Sequence, residues 1–153
     1  MTVEKAIFEY VSEAQASRQW KQFLAALAAE FGEQLADTDL RAMMQRVGAR
    51  FAGQLPLPRC DTVPQMQQAM SDLWMSCDWG WVELHENADH LAIRHFCSPL
   101  RAAFGEQHLR WTPAFLEGAY QQWFHSMGSG STLRVQQSTQ ADAFGCVEFR
   151  LAQ

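Results

Sequence analysis

The stretch that most constrains this chain is Cys77-Asp78-Trp79-Gly80-Trp81-Val82-Glu83-Leu84. Ahead of it, apolar residues recur at three- and four-residue steps; directly after Gly80 they alternate. A chain whose hydrophobic period changes from 3.6 to 2 at one point passes there from helices to strands. Gly80 gives the backbone freedom to turn, and Trp79 and Trp81 offer large surfaces to hold that turn against a core. Trp79, Gly80 and Trp81 are therefore read as a structural joint. The functional alternative, two indoles serving as a sugar-stacking platform, is the rarer use of such residues.

Upstream of the joint the pattern is helical. Val3, Ile7, Tyr10 and Val11 form a short apolar stripe, read as an amphipathic arm over about residues 1–16 that docks on a neighbouring subunit. Gln15–Gln19 reads equally as a polar linker or as continued helix. Trp20, Phe23, Leu24, Leu27, Phe31 and Leu35 then make one stripe. Asp37-Thr38-Asp39 is placed at the N-cap of the next helix, whose buried face is assigned to Leu40, Met43, Met44, Val47 and Phe51. Gly48 costs that helix up to ~1 kcal/mol relative to alanine, so a close contact is expected there. Pro56-Leu57-Pro58 ends it, and Thr62, Pro64 and Gln65 read as a capping box for a helix lined by Val63, Met66, Met70, Leu73, Trp74 and Cys77.

Downstream, Val82 and Leu84, then Leu91 and Ile93, alternate on either side of Glu86-Asn87-Ala88-Asp89, a hairpin pattern. Ser98–Arg110 reads as loop or short helix. Thr112-Pro113 is expected to open a helix lined by Phe115, Leu116, Ala119, Tyr120, Trp123 and Met127. Leu133 and Val135 are expected to pair with Val147, Phe149 and Leu151 in a second hairpin. The expected fold is α+β: N-terminal helices followed by a four-stranded antiparallel sheet of two hairpins with an intervening helix. The helix-plus-hairpin unit recurs, without a repeat in the sequence itself.

Composition narrows the function. At 153 residues the chain is read as a single domain. A net charge of −5 with no basic cluster argues against nucleic acid. No run approaches the ~18 apolar residues of a membrane span, so no membrane insertion is expected. Acidic residues interrupt the apolar positions of the first ten, which reads as no secretory signal and a cytoplasmic protein. Cys60, Cys77, Cys97 and Cys146 lack metal-binding spacing and are read as reduced thiols.

Catalytic chemistry finds little purchase. Of His85, His90, His95, His108 and His125, the first and third could face one another across the hairpin beside Glu83, a weak metal candidate. Cys97 with His95 is a weaker nucleophile pair, since no third group orients the base. Glu83, Glu117 and Glu148 are the carboxylates a glycosidase could use, with nothing to place two at a working separation. Gly128-Ser129-Gly130-Ser131 follows a helix rather than leading into one, the wrong polarity for phosphate. No catalytic residue, metal or cofactor is assigned.

Four stretches, Arg46–Gly53, Pro58–Thr62, the Trp79-Gly80 joint with Val82 and Leu84, and Leu116–Trp123, occur in the order seen in the bacterial cellulose biosynthesis protein D family, which the chain resembles from about Trp20 onward. The resemblance implies a non-enzymatic accessory component of the cellulose synthase complex, assembled as a cylindrical homo-octamer (a tetramer of dimers). Its implied partners are other components of the synthase, a proline-rich protein and β-1,4-glucan chains. Gln15, Ser17, Arg18 and Gln19 map loosely onto the family's passage-lining segment, and an ordinary solvated helix face is the competing reading. The family has been placed both in the periplasm and inside the cell. Gly118 and Gly145–Phe149 also resemble, faintly, vinyl-reductase-like and TRAPP-like domains, which would enclose an apolar pocket.

Overall fold

The computed structural model describes residues 2–153. Among them the helices are α1 (Val3–Gln15), α2 (Arg18–Gln34), α3 (Asp37–Gln54), α4 (Val63–Ser76), α5 (Leu100–Phe104) and α6 (Ala114–Ser126), with a 3-10 turn at Glu106–His108. The strands are β1 (Trp81–Glu86), β2 (Leu91–Phe96), β3 (Arg134–Gln137) and β4 (Val147–Ala152). They form an antiparallel sheet in the order β1-β2-β4-β3, so the two hairpins join through β2 and β4. The expected α+β class and hairpin order hold. Leu133 lies just before β3 rather than in it, and Val135 pairs with Leu151.

Strand alternation sends Val82, Leu84, Ile93, His95, Val135, Val147, Phe149 and Leu151 to the helical side, where all are buried. α4 packs on β1, α6 on β3, and α3 crosses α6. Trp74, fully buried on α4, is the hub: the rings of Phe51, Trp79, His95, Phe115, Tyr120 and Trp123 lie 5.1–6.4 Å from its own. Burying an indole of this size contributes roughly 5 kcal/mol as an upper bound.

The close contact expected at Gly48 is present. A Cβ there would overlap the Phe115 carbonyl oxygen and lie 2.8 Å from the Ala119 nitrogen. Gly118 answers it from α6, where a Cβ would overlap the Gln45 carbonyl oxygen. Two glycines thus let α3 and α6 touch backbone to backbone. The buried face of α3 is accordingly Leu40, Met44, Gly48 and Ala52, a straight four-residue row, and Val47 falls outside it, exposed.

Helix starts depart from the sequence reading at two places. α3 begins at Asp37 with Ala36 at the N-cap, so Asp37 and Asp39 serve its first turn as charges on the helix dipole. α6 begins after Pro113, because the Thr112 hydroxyl donates back to the His108 carbonyl (3.0 Å) and closes the preceding turn instead. At α4 the expected cap forms: Thr62 Oγ1 accepts from the Gln65 amide (3.2 Å), while Gln65 Oε1 reaches the amide of Asp61 (2.8 Å).

The first two helices cover themselves poorly. α1 buries no residue and touches the body chiefly through Phe8, whose ring meets Phe144 at 5.7 Å. Val3, Ile7 and Tyr10 are 74%, 58% and 77% exposed. α2 buries only Ala28, leaving Trp20 and Phe23 more than half exposed and packed edge to face on one another. The stripe read on α2 is therefore helical in spacing but only partly covered. Ala16 and Ser17 break the chain between the helices, which resolves Gln15–Gln19 as the end of one helix, a short link and the start of another.

Candidate functional site

The joint is built on strained backbone. Asp78 takes φ +60° and Gly80 φ +85°, and a side chain at Gly80 would overlap the Phe96 carbonyl oxygen. The turn throws its two indoles to opposite fates. Trp79 enters the core, 4.9 Å from the Phe115 ring. Trp81 starts β1 on the outer face, 39% exposed, and stacks on Phe96 at 5.2 Å with an interplanar angle of 6°. The indoles thus present no common platform.

His95 locks the joint to α6. It is fully buried, and one ring nitrogen lies 2.7 Å from the Trp79 carbonyl oxygen. A carbonyl only accepts, so Nε2 carries the proton and Nδ1 accepts from the Tyr120 hydroxyl at 2.6 Å. Burial pushes His95 down to about 4 and raises the Tyr120 hydroxyl well above its usual value, so both are neutral. Both His95 nitrogens are engaged, which removes it as a base for Cys97. The candidate metal triplet also fails. His95 pairs with Val82 on the inner face, whereas His85 pairs with Ala92 on the outer face beside Glu83. The alternation that sends Ile93 inward sends His95 inward too.

The candidate carboxylates separate in the same way. Glu83 and Glu148 flank Arg94 on the outer sheet face, with Glu148 paired to it at 3.4 Å. Glu117 is buried on α6 and committed. Its Oε1 takes Arg41 Nη2 (2.7 Å) and Gln45 Nε2 (2.8 Å), and its Oε2 accepts the Gln137 amide of β3 (2.7 Å). One helical turn on, Gln121 accepts the Val135 amide (2.7 Å) and donates to the Leu133 carbonyl (3.1 Å). Edge strand β3 is thus clamped by side chains four residues apart on α6.

The opposite edge is closed by the same device. On α4, Gln67 accepts the Leu84 amide (2.8 Å), and Ser71 both accepts from the Val82 amide (3.1 Å) and donates to its carbonyl (2.9 Å). The recurring helix-plus-hairpin unit therefore carries a recurring contact: a polar pair at i and i+4 that satisfies the outward amides of its own hairpin's first strand. An edge capped in this way cannot template another strand. Sequence reading missed Gln67, Ser71, Gln121, Gln45 and Arg41. For Gln67, Ser71 and Gln121 the signal is a polar residue on the inward side of an otherwise apolar helix face; Arg41 and Gln45 carry no such signal.

Gln15, Ser17, Arg18 and Gln19 are all exposed around the α1–α2 break. Gln15 borders a cleft of about 350 Å³ between α1 and the joint, together with Trp81 and Pro99. Among the described residues no helix is long and apolar enough to cross a membrane. The space between sheet and helices, where an apolar pocket would lie, is filled by Trp74, Tyr120, Trp123 and Phe149, each less than 2% exposed.

Comparison with known proteins bears on what such a scaffold is for. A family model describing the D component of cellulose synthase matches residues 6–151. The chain is 33% identical over 106 residues to a cellulose synthase operon protein D of Komagataeibacter xylinus, covering 68% of each chain. It is 32% identical over 106 residues, again 68% of each, to the protein of that name from Komagataeibacter sucrofermentans.

Proposed function

The chain belongs to the family of cellulose synthase operon protein D, and on that premise we propose that it serves bacterial cellulose synthesis as a non-catalytic accessory component. In this reading it assembles into a closed oligomer, a cylinder of eight chains arranged as four dimers, and organises synthase complexes in the cytoplasm, with the periplasm as the alternative compartment. One observation carries the reading: α1 and α2 present Ile7, Tyr10, Trp20 and Phe23 to solvent while their own domain gives them almost nothing to bury against. Large apolar side chains so exposed mark a docking surface. A second copy of the chain is the occupant that closed symmetry supplies. The clamps on β1 and β3 add to this by leaving helices, not strand edges, available for association. Other components of the synthase, a proline-rich protein and β-1,4-glucan are the further partners of this reading, with Gln15, Ser17, Arg18 and Gln19 at the passage. No cofactor is required.

The carboxylates support a non-catalytic role, since Glu117 is consumed by the edge clamp and Glu148 by an ion pair. The small-molecule reading finds no such support, because the inter-layer space is packed with aromatic rings. In a cellulose-forming bacterium lacking its own operon protein D, this chain should restore cellulose yield, and an Ile7→Glu/Tyr10→Glu variant of equal abundance should not. Equal restoration by both would reject the α1 surface as the basis of function.

A further inference from the structure

The clamp on β3 lies in the floor of a trough. One part, about 960 Å³, runs between α3, α6 and β3; the next, about 610 Å³, continues to the Ser138–Ala141 loop. Arg41 and Gln137 line both parts, so the trough is continuous. Arg41, Arg46, Arg101, Arg110 and Arg134 border it. That concentration opposes the chain's overall charge of −5.

The acidic residues cancel only part of it. Glu117 is held by Arg41 and Glu106 pairs with Arg101 at 3.4 Å. Arg110 meets Asp37 at 3.4 Å at the surface. Arg46 and Arg134 are exposed and form none of the ion pairs found among the described residues. No Trp, Tyr or Phe lines either part, so a neutral sugar has no ring to stack on. The two unpaired charges, Arg46 on α3 and Arg134 on β3, border the larger part, and the paired arginines continue along the trough, which suits an extended polyanion better than a single phosphate. Nucleic acid is disfavoured by the acidic remainder of the molecule.

We propose that this trough docks an extended Asp/Glu-rich segment of a partner protein. The Arg46 and Arg134 guanidinium groups form forked bonds to its carboxylates, and Gln122 and Gln140 exchange hydrogen bonds with its main chain. The inference goes beyond the assembly reading and does not depend on it, since the trough lies apart from the exposed faces of α1 and α2.

The test uses the full chain and a fluorescein-labelled peptide of about eight alternating Glu and Ser residues, followed by anisotropy. Saturable binding is expected, weakening as salt rises from about 50 to about 300 mM and roughly tenfold or more in Arg46→Gln/Arg134→Gln. The Arg46→Lys/Arg134→Lys variant should retain part of the affinity, and Trp81→Ala all of it. Equal binding of a Gln/Ser peptide, displacement by cellohexaose, or unchanged affinity in the Gln variant would each overturn the proposal. A shift in native mass caused by the Gln variant would also overturn it, by making the trough a contact between copies.

Discussion

Gly48→Ala gives the sharpest test of the packing account. In an exposed helix this change stabilises by up to ~1 kcal/mol through propensity alone. Here the new methyl group would overlap the Phe115 carbonyl oxygen and press on the Ala119 nitrogen, which must retreat from 2.8 Å to about 3.4 Å, where ordinary contact begins. The obstacles are backbone atoms of α6, so no side chain can swing aside. Overpacking of this kind costs about 1–3 kcal/mol, and a backbone clash belongs at the upper end. Net of propensity, a loss of about 2 kcal/mol is expected, or a Tm lower by roughly 4–8 °C for a domain of this size. Gly53 supplies the control: it lies on the same helix with nothing within 4 Å of an added Cβ, and Gly53→Ala should raise Tm slightly. Thermal unfolding followed by tryptophan fluorescence, at fixed protein concentration, reads both. If Gly48→Ala were as stable as Gly53→Ala, the backbone contact between α3 and α6 would be refuted.

Other outcomes follow from the polar core. His95 is neutral and buried with its proton affinity pushed down to about 4, against ~6.5 in the unfolded chain. Its contribution is full above that unfolded value and is lost as pH falls from about 6.5 toward 4, by up to about 3 kcal/mol. Urea titrations across this range should show a slope that His95→Gln lacks, and equal slopes would remove His95 as the cause. Glu117→Gln leaves Arg41 without its charge partner and should cost about 2–3 kcal/mol, read by urea midpoint; a loss under ~0.5 kcal/mol would contradict the clamp. Trp79→Ala should cost about 3–5 kcal/mol and Trp81→Ala less than about 1.5 kcal/mol by the same measurement, because only the first indole is packed in the core. Similar losses for the two would contradict their separation by Gly80.

Much of the fold is legible because its signals are local. The period change at Gly80, the Thr62 cap and the turn after Glu86 each depend on a few neighbouring residues. Gly48 signals that something approaches α3, but its partner Gly118, far along the chain, cannot be inferred from spacing. The inward direction of His95 is carried by the alternation of Leu91 and Ile93, and a metal triplet with His85 and Glu83 is incompatible with it. Periodicity on α2 gives the apolar stripe correctly and cannot say whether this chain or another covers it. The edge clamps are opaque for a different reason: Gln67, Ser71, Glu117 and Gln121 gain their role only from strands that lie above their helices in three dimensions. Asp37 and Thr112 do not cap as expected: Ala36 and Pro113 hold those N-cap positions, and neither makes a side-chain cap bond. Each expected residue is engaged elsewhere, Asp37 in an ion pair with Arg110 and the Thr112 hydroxyl on the His108 carbonyl, choices that residue type and spacing do not reveal.

In the proposed assembly the uncovered faces of α1 and α2 are contacts between copies of this chain. Native mass, measured by light scattering at micromolar concentration for the whole chain and for a variant lacking residues 2–16, reads these contacts. A mass near eight chains is expected for the first and a smaller, still folded species for the second. A monomer in both cases, or an assembly unchanged by the deletion, would contradict it.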